Sequence, residues 1–280
     1  TDCARYLIAK RAVYTLLDDN RDGVIDVRDE AGLDVRLGFW TFSSDNRRRR
    51  DIGQPYAAIW CGAGACTGSE TYAAGENSIL FWTDRALERQ RVYGSTSLAA
   101  CMEAVKPYLD GHRQTDAYRG CRMKFVILLT DGQDTLYCGG TGSGTQRDQY
   151  KRRRASVAKV KALYDAGYRV FVIGLGDRMP AYLQNTLNWM AYYGGTENPF
   201  AARRGSPQAL DIGAISADPC AGSATTGACS GSSDLCFAVS NDPGTLELAG
   251  YAFITANAGE LEAALRTAVT AIRDAAYSFS

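Results

Sequence analysis

Asp18 to Asp29 reads DDNRDGVIDVRD. Oxygen-bearing side chains stand at positions 1, 3, 5, 9 and 12 of this stretch: Asp18, Asn20, Asp22, Asp26 and Asp29. Calcium takes about six to eight oxygens around one point, and this spacing curls a chain around such a point. Gly23 permits the sharp turn, the Val24 carbonyl adds a ligand, and Ile25 points inward. Without an ion the same residues make only an acidic turn between a helix and a strand. The number and spacing of the oxygens favour calcium, which is the expected cofactor. The reading places a helix before the loop and a strand after it.

A second set of oxygens lies further along. Gly94-Ser95-Thr96-Ser97-Leu98 opens a helix, and Thr130-Asp131-Gly132 ends an apolar run. Ligand sites in open α/β sheets lie at the carboxyl ends of strands. A hydroxyl from one loop and a carboxylate from the other could meet there on a hard divalent ion. Each motif has a plainer reading. Ser95 or Thr96 could be the helix N-cap, and Asp-Gly after a strand is a common turn.

The elements that must position these residues are legible as alternating strands and helices. Asp34 to Phe42 alternates its faces. Lys124 to Leu129 and Arg169 to Leu175 are continuous apolar runs, as strands buried on both faces require. Tyr251 to Thr255 is a fourth strand. Helical spacing joins Ala9, Val13 and Leu17, with Tyr6, in a helix over about Ala4 to Leu17. It also joins Leu98, Met102, Val105 and Leu109; Val157, Val160 and Tyr164; Leu183, Leu187 and Met190; and Leu261, Leu265, Val269 and Ile272. The fold class is therefore α/β: a doubly wound, mainly parallel sheet flanked by helices, in one domain spanning 1–280. Residues 46–78 and 201–243 break the pattern and read as loop insertions pinned by disulfides. Gly174-Leu175-Gly176 lacks the third glycine of a dinucleotide fingerprint and reads as close packing.

Composition bounds the partners. Of 280 residues, 31 are Lys or Arg and 31 are Asp or Glu, so the formal net charge is zero. That argues against nucleic acid as a partner. Arg47 to Arg50 and Lys151 to Arg154 read as solvated basic runs. No stretch reaches the ~20 apolar residues of a membrane span. Nine cysteines without a C-x-x-C pair indicate disulfides and an exported chain. No basic-then-apolar leader precedes Thr1, as a mature or clipped chain would have it. Cys61 and Cys66 are expected to pair, as are two of Cys220, Cys229 and Cys236. Cys138 is a candidate partner for Cys101. Connectivity itself is open at this level.

The acidic stretch resembles the EF-hand loop, and its Asp29, where that loop has Glu, makes it similar to dockerin-type loops. In order and spacing, the first helix, VRLGFWTF, GSTSL, FVILLTDG, VFVIGLG, AYYGGTENPF, YAFIT and the last helix resemble the von Willebrand factor A domain. The resemblance implies that Thr96 and Asp131 help form a metal-ion-dependent adhesion site, with magnesium there if the rest of its ligands are supplied. The family's Asp-x-Ser-x-Ser motif, which closes a strand just before the first helix, is absent. A further peptide or chain supplying that strand is therefore an expected partner. The tail, from Asp242-Pro243-Gly244 through YAF and GELEAALRTAVTAI, is similar to the N-terminal domain of PilY-type adhesins of the type IV pilus tip. This resemblance implies a non-enzymatic adhesion or assembly module at the bacterial cell surface. Pilus minor subunits or a host or abiotic surface would be its partners. The alternatives are a scaffold of another secreted complex or an exported enzyme, such as a glycosidase, working with carboxylates among Asp131, Asp134 and Asp177. The lone histidine, His112, and the lack of a G-x-S-x-G elbow disfavour a serine hydrolase.

Overall fold

The computed structural model describes residues 2–22, 27–33, 38–40, 55–59, 95–120, 123–142, 148–202, 204–222 and 240–277. In chain order these form α1 (Asp2–Leu17), α2 (Val27–Leu33), β1 (Gly38–Trp40), β2 (Pro55–Ile59), α3 (Leu98–Thr115), β3 (Phe125–Thr130), α4 (Gln149–Asp165), β4 (Arg169–Leu175), α5 (Ala181–Tyr193), β5 (Arg204–Gly205), α6 (Ile212–Ala217), β6 (Leu248–Ala249), β7 (Phe253–Thr255) and α7 (Ala258–Tyr277).

β4 is the axis of the fold because it is apolar at every position after Arg169. Alternate side chains of a strand face opposite ways. Val170 and Val172 enter one core cluster with Leu98, Met102, Val105, Val157, Val160 and Leu187. Phe171, Ile173 and Leu175 enter another with Ala12, Leu16, Leu17, Leu261, Leu265 and Val269. Helices α3, α4 and α5 thus cover one face of the sheet, and α1 and α7 cover the other. β4 pairs in parallel with β3, from Phe125 opposite Arg169 to Thr130 opposite Gly174, and with β7, from Ile173 opposite Phe253 to Leu175 opposite Thr255. The mixed α/β architecture with a small parallel sheet between helices agrees with the sequence reading. Gly174 also agrees: a Cβ there would stand 2.7 Å from Leu187 Cδ1.

Several boundaries differ. β7 starts at Phe253 rather than Tyr251. The backbone N–H groups of Tyr251 and Ala252 both donate to Asn188 Oδ1, at 2.9 and 3.0 Å, so a side chain holds what a ladder would hold. Leu248–Ala249 is a separate strand, antiparallel to β5, and Gly250 with φ 88° turns the chain between the two. Pro55–Ile59, within the first insertion, pairs antiparallel with β1. The expected burial of β3 on both faces is met only in part: Leu128 and Thr130 are buried and Val126 is partly buried against the first cluster. Among the described residues β3 is hydrogen-bonded to a strand on one side only, and Phe125, Ile127 and Leu129 are partly buried against the second cluster.

The basic run at the start of α4 overturns the expectation of a solvated face. Arg153 and Asp242 both have wholly buried side chains. Arg153 Nε and Nη2 donate to Asp242 Oδ1 and Oδ2 at 2.9 and 2.6 Å, and Nη1 donates to Gln133 Oε1 at 3.2 Å. Such a pair survives burial only where geometry is good and the remaining donors are satisfied. Gly244 leaves room for it, since a Cβ there would stand 2.6 Å from Arg153 Nε. Arg154 donates to the carbonyls of Asn241, Ser240 and Ala221. Trp189 Nε1 adds a bond to the Leu246 carbonyl at 2.8 Å. These cations are therefore the clasp on which the second insertion ends.

One disulfide joins the same regions. Cys138 is bonded to Cys220, 82 residues away, with Cα atoms 5.4 Å apart. In the chain-entropy account such a loop closure contributes on the order of 4 kcal/mol. One expected pairing, of Cys101 with Cys138, is corrected. Cys101 is a free thiol, 3% exposed on the inner face of α3. Cys138 lies beyond β3 in a left-handed turn (φ 52°) beside the Lys151 carbonyl, where Cys220 meets it. Cys220 consequently bridges out of its insertion instead of pairing within it. Cys61, Cys66, Cys229 and Cys236 fall outside the described residues.

Arg153→Met should destabilise the fold by about 3–5 kcal/mol, because it leaves Asp242 buried and charged. Denaturant unfolding measures this, and a loss below about 1 kcal/mol would show that the clasp carries little of the stability.

Candidate functional site

The loops carrying Thr96 and Asp131 are locked together at the carboxyl end of the sheet. Thr135 N–H donates to the Thr96 carbonyl at 2.8 Å, and Thr96 N–H donates to Thr135 Oγ1 at 3.0 Å. The Thr135 hydroxyl donates back to the Thr96 carbonyl at 3.1 Å. Thr130 Oγ1 accepts from Gly132 N–H at 3.2 Å, which tightens the turn after β3. A Cβ on Gly132 would lie 3.4 Å from Thr96 Oγ1. The Thr96 hydroxyl therefore sits against the turn that bears Asp131, as the sequence reading requires.

Asp134, read only as a possible enzymatic acid, is what fixes this arrangement. It is 1% exposed. Its Oδ2 accepts from Ala99 N–H at 2.7 Å, and its Oδ1 accepts from Leu136 and Tyr137 N–H at 2.9 and 2.8 Å. The cap of α3 thus comes from a residue 35 positions away. Ser97, at the N-cap position, makes no side-chain cap bond. One carboxylate satisfies a helix end and a turn together. Gln149 Nε2 donates to the Asp134 carbonyl, and Gln133 is held by Arg153. Burial pushes the Asp134 carboxyl upward, while the three N–H groups and Arg152 pull it back. Burial, with the Asp134 charge behind it, pushes the Cys101 thiol up to about 12. That thiol is protonated and inert at neutral pH. Local sequence could not reveal the role of Asp134, because its principal partner is remote.

Asp131 remains outward, as does Asp177 just past β4, with side chains 45% and 65% exposed. Arg5 of α1 reaches between them. Its Nη1 lies 3.8 Å from Asp131 Oδ2 and its Nη2 3.9 Å from Asp177 Oδ1. Sequence reasoning misses this arginine, since nothing in its spacing ties it to either aspartate. Thr96 and Asp131 provide only a hydroxyl and one carboxylate, and a guanidinium already stands beside that carboxylate. These groups alone do not fit magnesium, which demands near-octahedral oxygen coordination.

The acidic loop forms a second candidate site. Asp18 and Asp29, its first and last residues, are 7% and 0% exposed. Asn20 N–H donates to Asp29 Oδ1 at 3.1 Å, and Asp22 N–H donates to Asn20 Oδ1 at 2.9 Å. Arg28 pairs with Asp22 at 2.7 Å. Helix α2 follows the loop directly, and strand β1, within the expected strand of Asp34 to Phe42, comes only after it, so the loop lies between two helices. Gly23, Val24, Ile25 and Asp26 fall outside the described residues. Among the described residues no group of three or more His, Cys, Asp or Glu side chains converges as a metal site. No described helix is long and apolar enough to cross a membrane.

Comparison with family models, with curated proteins and with solved structures yields no match for this chain.

Asp134→Ala should cost about 2–3 kcal/mol, because buried N–H groups lose their acceptor. It should also loosen the Thr96–Thr135 lock, read as faster amide exchange at both residues. Unchanged exchange and stability would show that the loops hold without it.

Proposed function

We propose that this chain is a non-enzymatic adhesion or assembly module of the von Willebrand factor A type, exported and acting at a type IV pilus tip. The observation that carries the reading is the lock between Thr96 and Thr135. It brings together, at the carboxyl edge of a parallel sheet, the two loops whose motifs resemble that family. A binding face of this kind needs a rigid edge with outward polar groups, and Asp131 and Asp177 are outward while Asp134 is spent on the backbone. That division of labour also weighs against the alternative of a carboxylate enzyme, since one of its three acids is committed to structure. The finer topology proposed is doubly wound, with a further strand alongside the side of β3 that has no strand partner among the described residues. The Asp-x-Ser-x-Ser residues of such a strand would complete the magnesium ligands. Pilus minor subunits or a host or abiotic surface are the partners this reading implies.

Calcium is proposed as a structural ion of the acidic loop. The donor set fits a hard cation: Asp18, Asn20, Asp22 and Asp29 are all oxygen donors, and the two end carboxylates are already buried. Arg28 on Asp22 is the charge that the ion would displace. The ion would supply charge neutralisation and hold α1 to α2.

The function is tested by immobilising the purified chain and measuring capture of purified pilus minor subunits and of coated beads, beside assays on a panel of glycosides. Capture without hydrolysis is expected; turnover of any glycoside would replace this reading with the enzyme. Calcium in hundredfold excess over its Kd should add about 2.7 kcal/mol of stability. Chelator should lower the melting temperature, and Asp22→Ala should abolish that response. A melting temperature indifferent to chelator would remove calcium from the account.

A further inference from the structure

Among the described residues, the large apolar side chains that stay exposed are Tyr118, Tyr164 and Phe200, at 63%, 46% and 81%. Exposed aromatics scattered singly need no explanation. These three share one pole, the amino end of the parallel strands, opposite the Asp131 edge. Tyr118 lies in the turn between α3 and β3, where Asp116 is paired with Lys124 at 3.0 Å just ahead of β3. Tyr164 lies in the last turn of α4, just ahead of β4. Phe200 lies in a loop tied to the same end of the sheet. Thr196 Oγ1 donates to the Val170 carbonyl at 2.6 Å, and Asn198 N–H donates to the Gly250 carbonyl at 3.2 Å, ahead of β7. Phe200 N–H donates to Asn198 Oδ1 at 3.0 Å, so a closed turn presents the ring.

A cavity of about 420 Å³ opens at this pole, lined by Arg113, Gln114 and Arg119. Arg113 is held in place. Its Nη1 donates to the Ala166 carbonyl at 2.7 Å, and its guanidinium stands 5.1 Å from the centre of the Tyr168 ring. Its Nη2 lies 3.5 Å from Asp110 Oδ1, but Asp110 also accepts from Lys106 at 2.7 Å and from the Tyr168 hydroxyl at 2.6 Å. One carboxylate thus serves two cations. Arg119 is exposed and has no ion-pair partner among the described residues. The Ala166 carbonyl that holds Arg113 lies two residues beyond Tyr164, whose ring packs against Gly195 of the Phe200 loop. The cavity and the aromatics are joined in this way.

We propose that this pole is a second interaction surface, which binds an acidic segment of a protein partner. A carboxylate enters between Arg113 and Arg119, and apolar side chains beside it pack on Tyr118, Tyr164 and Phe200. This surface stands apart from the Asp131 edge and does not depend on the adhesion reading. Two guanidinium groups around one opening suit a carboxylate, which accepts two parallel bonds from an arginine fork. Arginine and aromatic side chains are also the usual anchors of protein interfaces. A long polyanion fits less well, because Asp116, Asp165 and Glu197 stand on the same pole and repel it.

The experiment titrates the capped peptide acetyl-Trp-Glu-Trp-Glu-amide into isotope-labelled protein and follows the backbone amide shifts. Saturable shifts are expected at Arg113, Gln114, Tyr118 and Arg119. Affinity should fall about tenfold or more in Arg119→Gln, as loss of a charged hydrogen bond implies. The glutamine peptide acetyl-Trp-Gln-Trp-Gln-amide should bind wild type as weakly. Arg178→Gln makes the same charge change at the opposite end of the sheet, on a side chain 92% exposed, and should leave the affinity unaltered. Melting temperatures show that each variant is folded, and the wild-type shifts locate the site without any variant. Shifts centred elsewhere, no binding at millimolar peptide, equal binding of the glutamine peptide, undiminished affinity in Arg119→Gln, or an equal loss in Arg178→Gln would each overturn the inference. Tighter binding of a heparin tetrasaccharide at the same amides would also overturn it, making the pole a polyanion site.

Discussion

The ion pair between Arg153 and Asp242 is the contact through which the separate parts of this molecule meet. It is wholly buried, and it ties the second turn of α4 to the end of the second insertion. Through Gln133 it also reaches the turn that bears Asp131. Removing two charges from water costs several kcal/mol each, so this pair is a poor source of net stability compared with apolar packing. What it contributes is uniqueness. Asp242 stands opposite both Nε and Nη2 of Arg153, and a Cβ at Gly244 would meet the same guanidinium. The segment from Ser240 to Leu246 is consequently set against α4 and α5, and the chain goes on from there to β6, which pairs with β5, and to β7 in the parallel sheet.

The hydrophobic frame was legible in the sequence because burial leaves a periodic trace. Arg169 to Leu175 matches β4 residue for residue, and Leu261, Leu265 and Val269 line the inner face of α7. The polar frame left no such trace. Arg152 and Arg153 look like a solvated run, since a cation's burial depends on a partner 89 positions away and not on its neighbours. Asp134 reads only as a possible enzymatic acid until Ala99 is seen to donate to it. The acidic loop was legible as a loop, but the following helix was not: Val27–Leu33 is seven residues long, too short for a hydrophobic period to declare itself. The partner of Cys138 was hidden for the same reason, because Cys220 stands 82 positions away.

β3 and β4 share a composition and differ in burial, and the difference lies in their neighbours. β4 has a strand on each side, whereas β3 has one on a single side among the described residues. A central apolar strand and an edge apolar strand cannot be told apart from their own residues. Edges of this kind are ordinarily shielded, because unpaired backbone groups invite further strands. The apolar character of Phe125 to Leu129 is what a strand would have if it were covered on both sides.

Helix α1 joins two features that seem unrelated. Asp18, the first residue of the acidic loop, follows directly on its last residue, and Arg5 sits 13 residues earlier. At 1.5 Å per residue these points are about 20 Å apart on a single stiff rod. Such a rod does not stretch appreciably, so an axial slide of α1 that reshapes the loop carries the guanidinium the same distance at the sheet edge. The loop and the edge are thus held at one fixed spacing by the helix between them.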